Sequence, residues 1–214
     1  MASCVVSEIF HSIQGESTHA GRPCVFVRLA FCNLRCTWCD TAYAFEGGET
    51  LAVEAILARV AAFGCRLVEV TGGEPLAQES APVLLRELCD AGYEVLLETG
   101  GSCDIGGVDP RVKRIVDFKC PGSGMDGRNL WANARTLGPG DEVKFVIAGR
   151  EDFDWAAAKV REHALDRRCP VLFSPVSGML PPADLARWIL EGGLPVRLQL
   201  QMHKHIWEPA MRGV

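Results

Sequence analysis

This sequence predicts an α/β fold built as a partial, abbreviated (β/α) barrel, and three observations carry that reading. Short β-branched or alternating apolar runs recur along the 214 residues, and helix-periodic segments lie between several of them. The runs that read as barrel strands number about six, short of the eight that close a full (β/α) barrel. Strand alternating with helix argues for parallel βαβ units with helices covering the sheet. Residues 1–214 read as a single domain, because the length suits one core and no repeat, low-complexity stretch or linker interrupts it.

The strand candidates are CVFVRLA (24–30), RLVEVT (66–71), YEVLLET (93–99), RIVDFK (114–119), EVKFVIA (142–148), CPVLFSP (169–175) and PVRLQLQ (195–201). Each is short and β-branched enough for a strand. Residues 50–63 set Leu51, Ile56, Val60 and Phe63 on a helical stripe behind a Thr50 cap. Residues 78–91 do the same with Val83, Leu84 and Leu88, and ADLARWILEGG (183–193) places Leu185, Trp188 and Ile189 before a glycine stop. Between Thr99 and Arg114 only about fifteen residues of turn chemistry remain, a short crossover. Residues 120–141 are aperiodic and rich in Gly, Asn and Asp; long loops inside compact domains tend to carry function. In such folds the active site gathers at the C-terminal ends of the strands.

With 48% hydrophobic and 23% charged residues, the composition is that of a folded chain. A net charge of -5 offers no counterion release from a phosphate backbone, so nucleic acid is not an expected partner. MASCVVSEIFHSIQGE meets Glu8 and His11 before any long apolar run, and so reads as neither signal peptide nor membrane span. A cytoplasmic location is expected, in which the ten cysteines serve as metal ligands, catalytic groups or core residues rather than disulfides. Cys4, Cys24, Cys65, Cys89, Cys103, Cys120 and Cys169 are scattered in apolar or loop surroundings and read as plain small hydrophobes.

The other three stand together. In LAFCNLRCTWCDTAYAF (29–45), Cys32, Cys36 and Cys39 form C-x3-C-x2-C after an apolar run. Structural zinc asks for four ligands, and an ordinary 4Fe-4S cluster for four thiolates. Either a distant Cys24 or His203 completes a zinc site, or the thiolates hold three irons and leave the fourth open to a small molecule. An open coordination position marks a catalytic metal. In VEVTGGEPL (68–76) a strand ends in Gly-Gly, exposing backbone groups beside the Glu74 carboxylate. Such a ledge suits the ammonium and carboxylate of one amino acid; alone it would read as a glycine turn with Pro75 at its start.

Three cysteines at this spacing, an aromatic before the last of them, and Gly-Gly-Glu at a strand end resemble the radical S-adenosylmethionine superfamily. EIFHSIQGES (8–17), GRPCVFVRLAFCNLRCTWCDT (21–41), VTGGEP (70–75), DFKCPGSGM (117–125), FSPV (173–176) and LQMHKHIWEPAMRGV (200–214) are similar to the 7-carboxy-7-deazaguanine synthase family, in the same order over nearly the whole chain. The resemblance implies a homodimeric enzyme of the radical SAM barrel type. It implies a 4Fe-4S cluster on Cys32, Cys36 and Cys39, with S-adenosylmethionine on the open iron, and a reducing electron donor such as flavodoxin. A 5'-deoxyadenosyl radical would take hydrogen from C6 of 6-carboxy-5,6,7,8-tetrahydropterin. Ring contraction with loss of ammonia would then give 7-carboxy-7-deazaguanine, a precursor of queuosine and related 7-deazapurines. No catalytic residue beyond the cofactors is implied.

Residue by residue, the resemblance puts Gly73, Glu74, Lys119, Cys120, Pro121, Ser174, Pro175, Val176 and Ser177 at S-adenosylmethionine. It puts Ile13, Gln14, Gly15, Arg28, Thr71, His203 and Val214 at the pterin, with Glu16 as a further edge acceptor, and Thr41 at a magnesium ion. The chemistry agrees: a guanidinium fork suits a carboxylate, an amide reads a pterin edge in both directions, and magnesium takes oxygen ligands and keeps waters. The short cysteine spacing means that the helix some family members insert there does not carry over. Two rivals remain at this level: an activating enzyme for a glycyl-radical protein or ribonucleotide reductase, and a non-catalytic metal-binding module.

Overall fold

The structure, a computed structural model, describes residues 2–208 and 211–213. Its strands are β1 (Ser3–Ile13), β2 (Pro23–Leu29), β3 (Glu49–Ala52), β4 (Leu67–Gly72), β5 (Glu94–Thr99), β6 (Lys113–Asp117), β7 (Glu142–Ile147), β8 (Val171–Pro175) and β9 (Arg197–Leu198). Its helices are α1 (Val53–Ala61), α2 (Ala81–Asp90), α3 (Arg150–His163), α4 (Pro182–Gly192) and the single turn α5 (His203–Ile206). All nine strands join one sheet in the order β3-β1-β2-β4-β5-β6-β7-β8-β9. From β2 onward every pairing is parallel, while β1 lies antiparallel to both β2 and β3.

The sheet does not close, since β3 and β9 are its two ends. The loop after β1, residues 14–22, spans the opening instead. Ser17 N–H donates to Gln199 Oε1 at 3.0 Å, and Met202 N–H donates to the Gly15 carbonyl at 3.0 Å.

Period-2 alternation sorts each strand into two faces. Val25, Val27, Leu29, Val68, Val70, Val95 and Leu97 pack outward on α1 (Val53, Ile56, Val60) and α2 (Leu84, Leu85, Leu88). Val143, Phe145, Ile147, Val171 and Phe173 do the same against Phe153, Ala156 and Val160 of α3 and Leu185 of α4. The intervening residues point inward: Cys24, Phe26, Leu67, Leu96 and Ile115 form a smaller apolar cluster. Further along the same strands, Arg28, Thr71, Glu98, Asp117 and Lys144 line a cavity. Fully burying one such aliphatic side chain stabilises the fold by about 1.5–3 kcal/mol, so the outer clusters hold the strands while the inner face is free for chemistry.

Four sequence expectations change. Thr50 does not cap a helix: residues 49–52 pair with β1, Thr50 opposite Val5, and α1 begins at Val53 without a side-chain cap. Backbone pairing to the edge of β1 outcompetes the cap. β1 itself was not expected as a strand, because Glu8 and His11 interrupt its apolar pattern. Helix α3 was missed because its buried stripe rests largely on alanines among charged residues. Of PVRLQLQ only Arg197–Leu198 is strand. No described helix is long and apolar enough to cross a membrane.

Candidate active site

The C-terminal ends of the parallel strands surround a cavity of about 500 Å³, within the range of small-molecule sites. One wall is the cysteine loop. Phe31, at the end of β2, takes a left-handed φ of 71°, a conformation that costs a non-glycine residue about 1–2 kcal/mol. Bonds on both sides hold it there: Phe31 N–H donates to the Ala44 carbonyl, and the Phe31 carbonyl accepts from Glu74 N–H, each at 2.8 Å. Leu34, 2% exposed, anchors the loop, and Thr37 N–H donates to the Ser123 carbonyl at 3.1 Å. Cys32, Cys36 and Cys39 are half-buried free thiols that all reach the cavity. Burial raises the Cys32 and Cys36 thiols, and Lys119 pulls both back toward ionisation.

This donor set fits an iron–sulfur cluster better than zinc. Among the described residues no three His, Cys, Asp or Glu side chains converge closely enough to hold one ion, as tetrahedral zinc requires. Thiolates spread along a loop suit a cluster in which each binds its own iron. Cys24 cannot complete the set, since it is buried near the start of β2, in the inner apolar cluster.

The second wall is Gly72–Gly73. Gly72 has φ 144°, and a Cβ there would overlap the Leu29 carbonyl oxygen; one on Gly73 would overlap that of Phe31. The glycines are therefore required by the close approach of the end of β2 and of the start of the cysteine loop. Glu74 sits differently from its expected place. Its carboxylate is fully buried off the cavity wall and accepts from Thr99 Oγ1 at 2.8 Å, Leu76 N–H at 3.0 Å and Gly100 N–H at 2.7 Å. Burial raises its pKa against those three bonds; it shapes the ledge from behind. Pro121, Ser174 and Pro175 also lie off the wall, whereas Gly73, Lys119, Cys120, Val176 and Ser177 lie on it.

The pterin candidates Ile13, Gln14, Gly15, Glu16, Arg28, Thr71 and His203 share that cavity, as does Thr41; Val214 lies outside the described residues. The Gln14 amide is largely committed: Nε2 donates to Glu69, and Oε1 accepts from Glu16 N–H at 3.0 Å. Thr41 Oγ1 stands 3.7 Å from Cys39 Sγ. Burial keeps His203 below the ordinary imidazole range despite the nearby Glu16.

Sequence reasoning passed over the charges between these groups. Lys144 Nζ donates to Glu16 at 2.7 Å and to Glu98, and lies 3.7 Å from Asp117. Lys119 Nζ donates to Asp117 Oδ2 at 2.8 Å. Burial alone would raise the Glu16 carboxyl, yet Lys144 holds it at about 2. For Glu69 the balance is reversed: burial and the charges of Glu98 and Glu16 outweigh the Lys144 cation and the Gln14 amide, and raise its pKa well above the ordinary value. Asp117 Oδ1 is buried with no hydrogen-bond partner among the described residues, the condition of an acceptor that a ligand's donor would complete. The available signal was a charge set inside an otherwise apolar run: Glu69 in RLVEVT, Glu98 in YEVLLET, Asp117 in RIVDFK and Lys144 in EVKFVIA.

Comparison with known proteins agrees with this geometry. The Radical SAM superfamily profile matches residues 27–121, which hold the cysteine loop and the glycine ledge. The 7-carboxy-7-deazaguanine synthase of Chlorobaculum tepidum is 49% identical over 98% of this chain and 96% of its own. That of Koribacter versatilis is 44% identical over 98% and 99%. Among solved structures, QueE from Escherichia coli superposes with a TM-score of 0.77 at 23% identity, covering 94% of this chain and 95% of its own, and so shares the fold. The chain belongs to the 7-carboxy-7-deazaguanine synthase family of radical SAM enzymes.

Proposed function

We propose that this chain converts 6-carboxy-5,6,7,8-tetrahydropterin to 7-carboxy-7-deazaguanine with release of ammonia. The observation that carries the reading is that three thiols, a glycine ledge and the Arg28 guanidinium share one cavity. When bound, the 4Fe-4S cluster and S-adenosylmethionine supply a 5'-deoxyadenosyl radical able to take hydrogen from C6 of the pterin. Cys32, Cys36 and Cys39 hold the cluster. Gly73, Lys119, Cys120, Val176 and Ser177 surround S-adenosylmethionine, and Asp117 Oδ1 offers its amine an acceptor. Arg28 grips the pterin carboxylate, while Ile13, Gln14, Gly15, Glu16, Thr71 and His203 frame the ring. Thr41 would offer a magnesium ion one hydroxyl oxygen, the ligand type that this ion prefers. Phe10, Phe26, Trp38, Phe45 and Met179 complete the apolar part of the lining and limit water.

Association into a homodimer is supported by the outer edge at β9. Leu198, Leu200 and Met202, with Ile206 and Trp207 of the following turn, are each 37–46% exposed, and an uncovered apolar sheet edge favours a partner. An acidic one-electron donor such as flavodoxin would meet the exposed Arg35 on the outer side of the cysteine loop.

The experiment is to reconstitute the protein with iron and sulfide, reduce it, and add S-adenosylmethionine with the carboxypterin. Formation of 7-carboxy-7-deazaguanine is expected. Protein that purifies anaerobically with zinc and no iron, and makes no product after reconstitution, would contradict the proposal.

A further inference from the structure

We infer that Glu8 and Tyr43 are positioning residues for Arg28, locking its guanidinium by the Nε edge so that both terminal nitrogens face the ligand carboxylate. The inference rests on the proposed role of Arg28. Glu8 and Arg28 are paired across β1 and β2, so their side chains project from the same face of the sheet. Arg28 Nε donates to Glu8 Oε1 at 2.7 Å, and the Tyr43 hydroxyl donates to the same oxygen at 2.7 Å. The Arg28 side chain is 14% exposed and that of Glu8 19%. Neither terminal nitrogen of Arg28 has a hydrogen-bond partner among the described residues, although the guanidinium lies on the cavity wall.

A guanidinium presents edges that each carry two parallel N–H donors, and a carboxylate binds best to the pair at one edge. Anchoring Nε to Glu8 turns the terminal pair toward the cavity and removes the rotamer freedom that binding would otherwise have to freeze. Phe10 supports the guanidinium from one side, its ring centroid 5.8 Å away. Tyr43 follows the cysteine loop in sequence, and its ring carries the Arg212 guanidinium 3.9 Å from the centroid. The clamp therefore joins β1, β2 and the segment beyond Thr41 at one carboxylate oxygen, and Arg212 of the C-terminal segment stacks on its tyrosine.

The test is a double-mutant cycle read by equilibrium binding of the carboxypterin, with KM and kcat measured beside it. Glu8→Ala is expected to weaken binding about tenfold through KM, with kcat little changed. Glu8→Gln, which keeps the acceptor oxygen, should recover most of that loss. Tyr43→Phe, which removes one hydroxyl, is expected to weaken binding about threefold and serves if Glu8→Ala does not fold. In an Arg28→Ala background, Glu8→Ala and Tyr43→Phe should add nothing, because their partner is gone. Losses that add in full to that of Arg28→Ala would overturn the clamp and leave Arg28's role standing. Unchanged carboxypterin binding in Arg28→Ala itself would overturn both.

Discussion

Two charged clusters stand at opposite ends of the same three strands, and both fasten the loop 14–22 to the sheet. At the strand starts, Glu94 of β5, Lys113 of β6 and Glu142 of β7 meet Arg22, His19 and Thr18. Lys113 Nζ donates to Glu94 at 2.7 Å, Arg22 to Glu94 at 2.6 Å, and Thr18 N–H to Glu142 at 3.0 Å. Toward the strand ends, Glu98 of β5, Asp117 of β6 and Lys144 of β7 meet Glu16. Solvent separates the two. Lys113 is 39% exposed and Glu94 32%, whereas Lys144 is 4% exposed. The Arg22–Glu94–Lys113 part of the outer cluster is a surface network, worth little per pair and screened by salt, while Glu142 and His19 beside it are buried. In the inner one Lys144 balances Glu16 and Glu98 and shares Asp117 with Lys119, an arrangement costly to assemble away from water and suited to holding a polar ligand.

The largest expected contrast comes from removing each lysine. Lys144→Met leaves Glu16 and Glu98 without their cation, while Asp117 keeps Lys119, so a stability loss of about 3–5 kcal/mol is expected in denaturant unfolding. Lys113→Met should lose only about 0.2–1 kcal/mol, and less in high salt. Equal losses would break the comparison.

Glu69 sharpens it through pH. Its folded pKa lies above the unfolded value, so its contribution is complete below the unfolded range and is lost as pH rises through the folded pKa. While Glu69 stays protonated in the folded protein, stability falls by at most about 1.4 kcal/mol per pH unit above that range. Glu69→Gln should remove this slope above the ordinary carboxylate range, as thermal unfolding at several pH values would show. An unchanged slope would mean that Glu69 is ionised in the fold.

The smallest effect belongs to Glu94, which Arg22 and Lys113 hold at about 2, below its ordinary 4.5. The sign is opposite to that of Glu69: stabilisation is complete above the unfolded value and is lost as pH falls from there toward about 2. Glu94→Gln should flatten the acid limb slightly, and salt should shrink the difference.

The parallel half of the sheet was readable because its outer face is continuously apolar, as Val25, Val27, Val68 and Val70 show. The pieces that depend on a neighbour were not. β3 exists only because β1 offers it an edge, and Thr50 reads locally as a cap. In the site, the motif residues around Cys32 and Gly73 were legible because their spacing carries the chemistry. The inner cluster was not, since Glu98, Asp117 and Lys144 lie in separate strands and Glu16 in a loop, and only the sheet register and the docking of that loop bring them together. Glu74 shows the same limit from the other side: its place in the motif was plain, but the burial of its carboxylate depends on Thr99 and Gly100.

The measurement that most directly tests the account is hydrogen transfer from the pterin. With substrate deuterated at C6, the 5'-deoxyadenosine released by the reconstituted enzyme is expected to carry deuterium and to form alongside 7-carboxy-7-deazaguanine. Unlabelled 5'-deoxyadenosine without the deazaguanine would show that the cavity cleaves S-adenosylmethionine but acts on another substrate, contradicting the account.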